Sequence, residues 1–244
     1  MAIKIKIGQK KKEYYKGLLV EADNKVHDQA LEILKEYLHR GKKIIDLGSG
    51  EGAFSLRMRE SGYLVTAVDN LPDKFKLKDK VEFIKLDLDN NIELENFLAS
   101  YKNIFDCVTA IEVIEHLQNP WKFLLFCKDL LKPEGFLLIS TPNISSFISR
   151  IIFLFLGKFH QFRDGDLEYG HINPLTSFEL ELIFSKLRFK VAFKKPAGTL
   201  PLFWVDSNWK MMVVKLLGLI FYPLMQGDKN GWCLMYLLQK GKND

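Results

Sequence analysis

The stretch that most constrains this chain is Lys43-Ile44-Ile45-Asp46-Leu47-Gly48-Ser49-Gly50-Glu51-Gly52, where an apolar run stops at an acid and opens into three glycines at alternate positions. Ile44, Ile45 and Leu47 suit a buried strand, and Ala53-Phe54-Ser55-Leu56-Arg57-Met58 starts a helix at once. The glycines remove the Cβ atoms that would hold a ligand away from the backbone, and the helix start points unpaired N–H groups at whatever binds. Further on, Tyr63-Leu64-Val65-Thr66-Ala67-Val68-Asp69-Asn70 reads as a second strand ending in a carboxylate, where a parallel sheet holds the hydroxyls of a ribose. Two strands and a helix thus define a nucleoside site.

Two cofactor classes share that arrangement. Gly48-x-Gly50-x-x-Ala53 meets the dinucleotide pattern, which keeps an NAD-dependent oxidoreductase open as an alternative. The fuller string, Asp46-x-Gly48-x-Gly50-x-Gly52, resembles motif I of the class I S-adenosylmethionine-dependent methyltransferases. That resemblance implies that Asp46 lies near the methionine end of the cofactor and that Asp69 holds the ribose diol. A zwitterionic amino acid suits the polarity of Asp46 and Glu51, whereas a pyrophosphate would be repelled by it. The cofactor set implied by the resemblance is Asp46, Gly48, Ser49, Gly50, Gly52, Asp69, Asn70, Asp87, Leu88, Ile111 and Glu112. S-adenosylhomocysteine is the implied product.

Helical spacing of Val26, Ala30, Leu31, Ile33, Leu34, Tyr37 and Leu38 places a helix within Ala22–Arg40, ahead of the first of these strands. Residues 1–17 show only the trace of a short strand. Beyond Asp69 the pattern predicts a third strand over Val81–Leu88, a short helix over Glu93–Tyr101 and a fourth strand over Phe105–Ile111. A helix over Pro120–Leu131 and a fifth strand over Gly135–Pro142 follow, with Pro133 and Gly135 making the turn between them. Thr176–Leu187 reads as an amphipathic helix, and Phe189–Lys194 and Trp232–Leu238 as strands. By resemblance this is an α/β, Rossmann-like three-layer sandwich: a seven-stranded, mainly parallel sheet with one antiparallel strand, the last, lying between its neighbours. The expected organisation is a single domain over residues 1–244, with an N-terminal lid (1–40) and apolar cap insertions at 144–175 and 199–228.

Composition narrows the partners. The net charge is +5 over 244 residues, with lysines gathered at Lys4, Lys6, Lys10, Lys11, Lys12 and Lys16 and again at Lys74, Lys76, Lys78 and Lys80, a pattern of solvated faces. Cys107, Cys127 and Cys233 are isolated and lack metal-type spacing, which fits a reducing, cytoplasmic setting. The start of the chain has charge where a secretory leader needs an apolar core. Apolar runs at Ile151–Leu156 and Met211–Met225 are too short, or too broken by Lys215, Gly218 and Pro223, to span a bilayer. Their aromatic load with flanking Arg150, Lys158, Lys210 and Lys215 suits either a cap packed on itself, a homodimer contact, or peripheral contact with a membrane or lipophilic substrate.

The acceptor chemistry is expected beyond the fourth strand, at Ile111-Glu112-Val113-Ile114-Glu115-His116. If that segment is helical, Glu112, Glu115 and His116 share one face. This Glu-x-x-Glu-His string resembles the ubiquinone-biosynthesis O-methyltransferases and the small-RNA 2′-O-methyltransferases; in the latter a later histidine completes a divalent-metal site. Here the later histidine is His171, in Gly170-His171-Ile172-Asn173-Pro174. His116 and His171 are the expected catalytic groups, since imidazole has the intrinsic pKa to take a hydroxyl proton; whether the cluster holds Mg²⁺ or Mn²⁺ stays open. The Asn/Asp-Pro-Pro-aromatic string of nucleic-acid amino-methyltransferases is absent, so DNA is not an expected partner, and the lysines are too few to define an RNA groove. The expected activity is O-methylation of a small or lipid-linked acceptor. Its other rival is a non-catalytic S-adenosylmethionine-binding protein with a membrane or protein partner.

Overall fold

Apolar runs separated by amphipathic helices require a parallel sheet covered on both faces, and the computed structural model has that form. It describes residues 13–23, 25–162, 170–198, 212–213, 216–217 and 220–242. A hairpin of β1 (Glu13–Tyr15) and β2 (Leu18–Val20) leads into helix α1 (Val26–Tyr37). The main sheet contains β3 (Lys43–Leu47), β4 (Leu64–Asp69), β5 (Glu82–Lys85), β6 (Phe105–Ile111), β7 (Leu131–Pro142), β8 (Lys190–Ala197) and β9 (Cys233–Gln239). Their order is β5-β4-β3-β6-β7-β9-β8. β9 runs antiparallel to both β7 and β8, and the pairs from β5 to β7 are parallel, as expected from the sequence. The strand order reverses between β3 and β6, which opens a crevice at their carboxyl ends.

The remaining helices are α2 (Ala53–Glu60), α3 (Asn91–Tyr101), α4 (Pro120–Leu130), α5 (Phe147–Leu156) and α6 (Ser177–Lys186). α3, α4 and α6 bury Phe97, Phe123, Leu124 and Phe184 against one face of the sheet. On the other face α1 and α2 bury Val26, Leu34, Phe54 and Met58. Helix starts follow local chemistry: the Asn90 side chain accepts from the amides of Ile92 and Glu93, Asn119 from Lys122, and Thr176 from Glu179.

The structure revises four readings. β7 begins at Leu131, so Pro133 and Gly135 lie within the strand rather than in a turn before it. The N-terminal segment forms a hairpin rather than one strand, because Lys16 and Gly17 both take positive φ, at 49° and 84°, as a two-residue type I′ turn requires. The third strand ends at Lys85, so Asp87 and Leu88 stand in the turn beyond it. There Glu93 reaches back to accept from the Asp87 amide at 3.0 Å and ends the pairing. Glu112, Glu115 and His116 share no helical face: Glu112 has φ 57°, and only Ile114–His116 form a single 3₁₀ turn. The rest of the expected lid (1–12) and much of the second cap (199–211) lie outside the described residues.

Candidate functional site

The turn after β3 is built on left-handed backbone. Gly48, Gly50 and Gly52 have φ of 69°, 54° and 96°, so any side chain there would strain the loop. Space is short as well: a Cβ on Gly48 would sit 2.6 Å from Val113 Cγ2, which packs the turn after β3 directly against the turn after β6. The two stretches singled out in the sequence are therefore neighbours.

Asp46 is buried beneath this turn. Ser55 Oγ donates to its Oδ2 at 2.5 Å and Thr109 Oγ1 to its Oδ1 at 2.7 Å. Burial pushes its carboxyl up to about 6, while those two hydroxyls and the nearby charge of Asp69 act more weakly, the hydroxyls downward and Asp69 upward. Asp69, half-buried at the end of β4, accepts from the amides of Gly50 at 2.9 Å and Leu71 at 3.0 Å. That ties the second strand's acid to the glycine turn and leaves lone pairs for a diol; the adjacent Asn70 is exposed. Asp87 and Leu88 are half-buried in the next turn, where Asp87 Oδ1 accepts from the Asp89 amide. Ser49 donates its amide to Val68 O and so closes the loop onto β4.

At the end of β6, Ile111 and Glu112 are half-buried. Glu112 is held by Ser140, whose hydroxyl donates to Oε1 at 3.0 Å, and by Cys233, whose thiol donates to Oε2 at 3.1 Å. Glu112 thus faces the sheet. Glu115 points elsewhere, and its side chain, with those of His116 and His171, offers three ligand atoms within 4.8 Å of one another. Glu115 is fully buried: Thr141 Oγ1 donates to its Oε2 at 3.1 Å, and Oε1 has no hydrogen-bond partner. Burial, and secondarily the charge of Glu112, raise its carboxyl well above the usual carboxylate range.

The two imidazoles meet edge to face, with ring centroids 4.7 Å apart. His171 is brought there because the amides of Ile172 and Asn173 both donate to the Glu115 carbonyl at 3.0 Å, while the Asn173 amide group donates to Leu117 O. His171 Nδ1 lies 2.8 Å from Gln161 O. A carbonyl only accepts, so Nδ1 carries a proton, and the neutral form of the ring has its lone pair on Nε2. Gly170, with φ 84°, lets the chain pass close to the His116 ring.

Ser55, Thr109 and Gln161, which orient Asp46 and His171, escaped the sequence reading. Thr109 was legible in principle, since it stands opposite Asp46 in the β3–β6 register. Tyr15, in the hairpin, donates to Glu60 at 2.7 Å and carries the Arg57 guanidinium 3.9 Å from its ring centroid. A hollow of about 450 Å³ among Lys43, Arg59, Tyr63, Thr66 and Lys80 opens at the amino ends of the strands, the wrong edge for ligand binding in an open α/β sheet.

Residues 21–192 match the family model described as a methyltransferase domain. The chain is 37% identical over 109 residues to a ubiquinone biosynthesis O-methyltransferase of Glaesserella parasuis, a match covering 42% of this chain and 46% of that protein. A second, from Actinobacillus pleuropneumoniae, is 36% identical over 109 residues, covering 42% of this chain and 47% of the relative. The chain thus spans about half the length of the curated relatives it matches. Among solved structures, a SAM-dependent methyltransferase from Archaeoglobus fulgidus superposes with a TM-score of 0.59 at 19% identity, covering 88% of this chain and 94% of that one. An S-adenosylmethionine-dependent methyltransferase from Mesorhizobium loti gives 0.56 at 13% identity, covering 86% and 96%. These structures share the fold. The chain belongs to the class I S-adenosylmethionine-dependent methyltransferases.

Proposed function

We propose that the protein transfers the methyl group of S-adenosylmethionine to a hydroxyl oxygen of a small or lipid-linked acceptor. The observation that carries this reading is the convergence of His116, His171 and the buried Glu115 beside the cofactor turn. The glycine turn and Asp69 hold the cofactor, with Asp87 and Leu88 toward its base and Ile111 and Glu112 at its flank. Methyl transfer from a sulfonium is an in-line displacement: the acceptor oxygen forms a bond to the methyl carbon as the carbon–sulfur bond breaks, and the thioether leaves neutral. The acceptor's proton goes to the imidazole pair, where His171 offers Nε2. The ubiquinone-biosynthesis names of the matched relatives support an oxygen acceptor.

A second reading draws on the partnerless Glu115 Oε1. One carboxylate and two imidazoles suit a divalent cation, which when bound would lower the hydroxyl's pKa. His116→Ala and His171→Ala should each lower kcat by about 10²–10⁴-fold with cofactor affinity nearly unchanged. Equal loss of both would assign the histidines to folding. Turnover of a catechol-type acceptor that survives EDTA supports the imidazole base; loss on EDTA with recovery on adding Mg²⁺ or Mn²⁺ selects the cation.

The apolar cap supports a lipid-linked acceptor. α5 packs Phe147, Ile148 and Ile152 with Leu156, Tyr222 and Met225. Yet Phe153, Leu154 and Phe155 are 47%, 70% and 57% exposed, and Ile220, Phe221 and Leu224 are exposed too, more than a cap packed only on itself would leave. No helix among the described residues is long and apolar enough to cross a membrane. The surface suits peripheral contact with a bilayer from which the acceptor is taken.

A further inference from the structure

The glycine turn is crossed by a pair of opposite charges that the cofactor motif does not contain. Glu21, directly after β2, places Oε2 2.6 Å from where a Cβ on Gly50 would stand, so its carboxylate fills the room that the glycine leaves open. Its other oxygen accepts from Lys74 Nζ at 2.8 Å. Lys74 comes from the segment whose Phe75 and Leu77 pack over Gly52. The hairpin that carries Glu21 is pinned to the same turn: the Leu19 amide donates to Glu51 Oε2 at 2.8 Å, and Lys76 pairs with Glu51 at 2.6 Å.

The other acids of the turn are already engaged. Both oxygens of Asp46 accept hydroxyl groups in a buried setting, Glu51 is bound by Leu19 and Lys76, and Asp69 faces the ribose end. The amino-acid end of S-adenosylmethionine is a zwitterion, with an ammonium and a carboxylate on one carbon. Glu21 and Lys74 offer the complementary pair, one of each sign, at the open face of Gly50. Glu21 is exposed and Lys74 half-buried, and an ion pair so open to solvent is close to thermoneutral to open, so the exchange of partners costs little.

We propose that Glu21 and Lys74 form the recognition site for the cofactor's α-amino-acid group: their mutual ion pair opens on binding, Glu21 taking the ammonium and Lys74 the carboxylate. This rests on the methyltransferase reading. It makes the N-terminal hairpin part of the cofactor site and gives the lid a chemical role.

The test is calorimetric titration of wild type, Glu21→Gln and Lys74→Met with three probes: S-adenosylhomocysteine, its deaminated analogue, and 5′-methylthioadenosine, which lacks the amino-acid group. Glu21→Gln should weaken S-adenosylhomocysteine binding about tenfold, the scale of one charge-assisted hydrogen bond. It should leave the deaminated analogue and 5′-methylthioadenosine unchanged. Lys74→Met should weaken both carboxylate-bearing probes and leave 5′-methylthioadenosine unchanged. Unaltered S-adenosylhomocysteine binding in both variants would overturn the inference while sparing the methyltransferase reading, and so would parallel loss of all three probes, which marks the pair as a tie between hairpin and loop. Wild-type protein that binds none of the probes would overturn both.

Discussion

At the level of single residues, the acid that opens the glycine motif is a buried support rather than an exposed ligand. Asp46 sits under the turn with both oxygens taken by Ser55 and Thr109. Burial raises its folded pKa to about 6 from the ordinary carboxyl value of 3.8. The sign follows from linkage: below the lower value folded and unfolded chains are both protonated, and as pH rises through about 6 the folded protein must hold a buried charge. Stability attributable to Asp46 is thus present at low pH and lost on the way up, by about 3 kcal/mol at 1.36 kcal/mol per unit. Asp46→Asn keeps the shape: one hydroxyl goes on donating to the amide oxygen, and the other turns to accept from the amide nitrogen. In chemical denaturation the variant should gain on wild type between about pH 4 and pH 6.5 and hold a constant advantage above that; parallel curves would show that Asp46 is not desolvated in the folded state. Of this site the sequence showed the acids and glycines, because their spacing is local. The partners that set their chemistry come from other strands and loops, as Gln161 does for His171, and no spacing encodes those contacts.

At the scale of elements, helices with a regular apolar stripe were legible within a few residues: α1, α4 and α6 lie inside the spans that periodicity marks. Two kinds of element were not. The hairpin depends on Lys16 and Gly17 adopting positive φ, and a lysine carries no such signal. The segment from Glu112 to His116 carries its acids at helical spacing, which left a shared helical face open, but Glu112 is turned out of register by its ties to Ser140 and Cys233. α5 is the element whose exposed end asks for a partner. Protein mixed with anionic vesicles should co-sediment, and Phe153→Asp with Phe155→Asp should reduce the bound fraction several-fold, because each buries a charge in place of an aromatic ring. Turnover of a soluble acceptor should be unchanged. Equal retention of wild type and variant would remove the bilayer from the account.

At the scale of the whole molecule, the order of strands explains why two distant stretches make one site. β3 and β6 are adjacent at the reversal of the sheet, so the turns that follow them, at Gly48 and Val113, touch. The fold was legible because buried parallel strands read as continuous apolar runs at the spacing helices demand. The caps were not, since apolar side chains mark burial without saying against what. The central claim is that the turn between Asp46 and Asp69 holds the nucleoside of S-adenosylmethionine. The measurement that meets it most directly is calorimetric titration of S-adenosylhomocysteine, with NAD in a parallel cell, into wild type and Asp69→Ala. The account predicts that the thioether binds wild type, that NAD does not, and that Asp69→Ala weakens binding by about 1–3 kcal/mol through the lost ribose hydrogen bonds. Binding of NAD without the thioether, or thioether affinity untouched by Asp69→Ala, would contradict it.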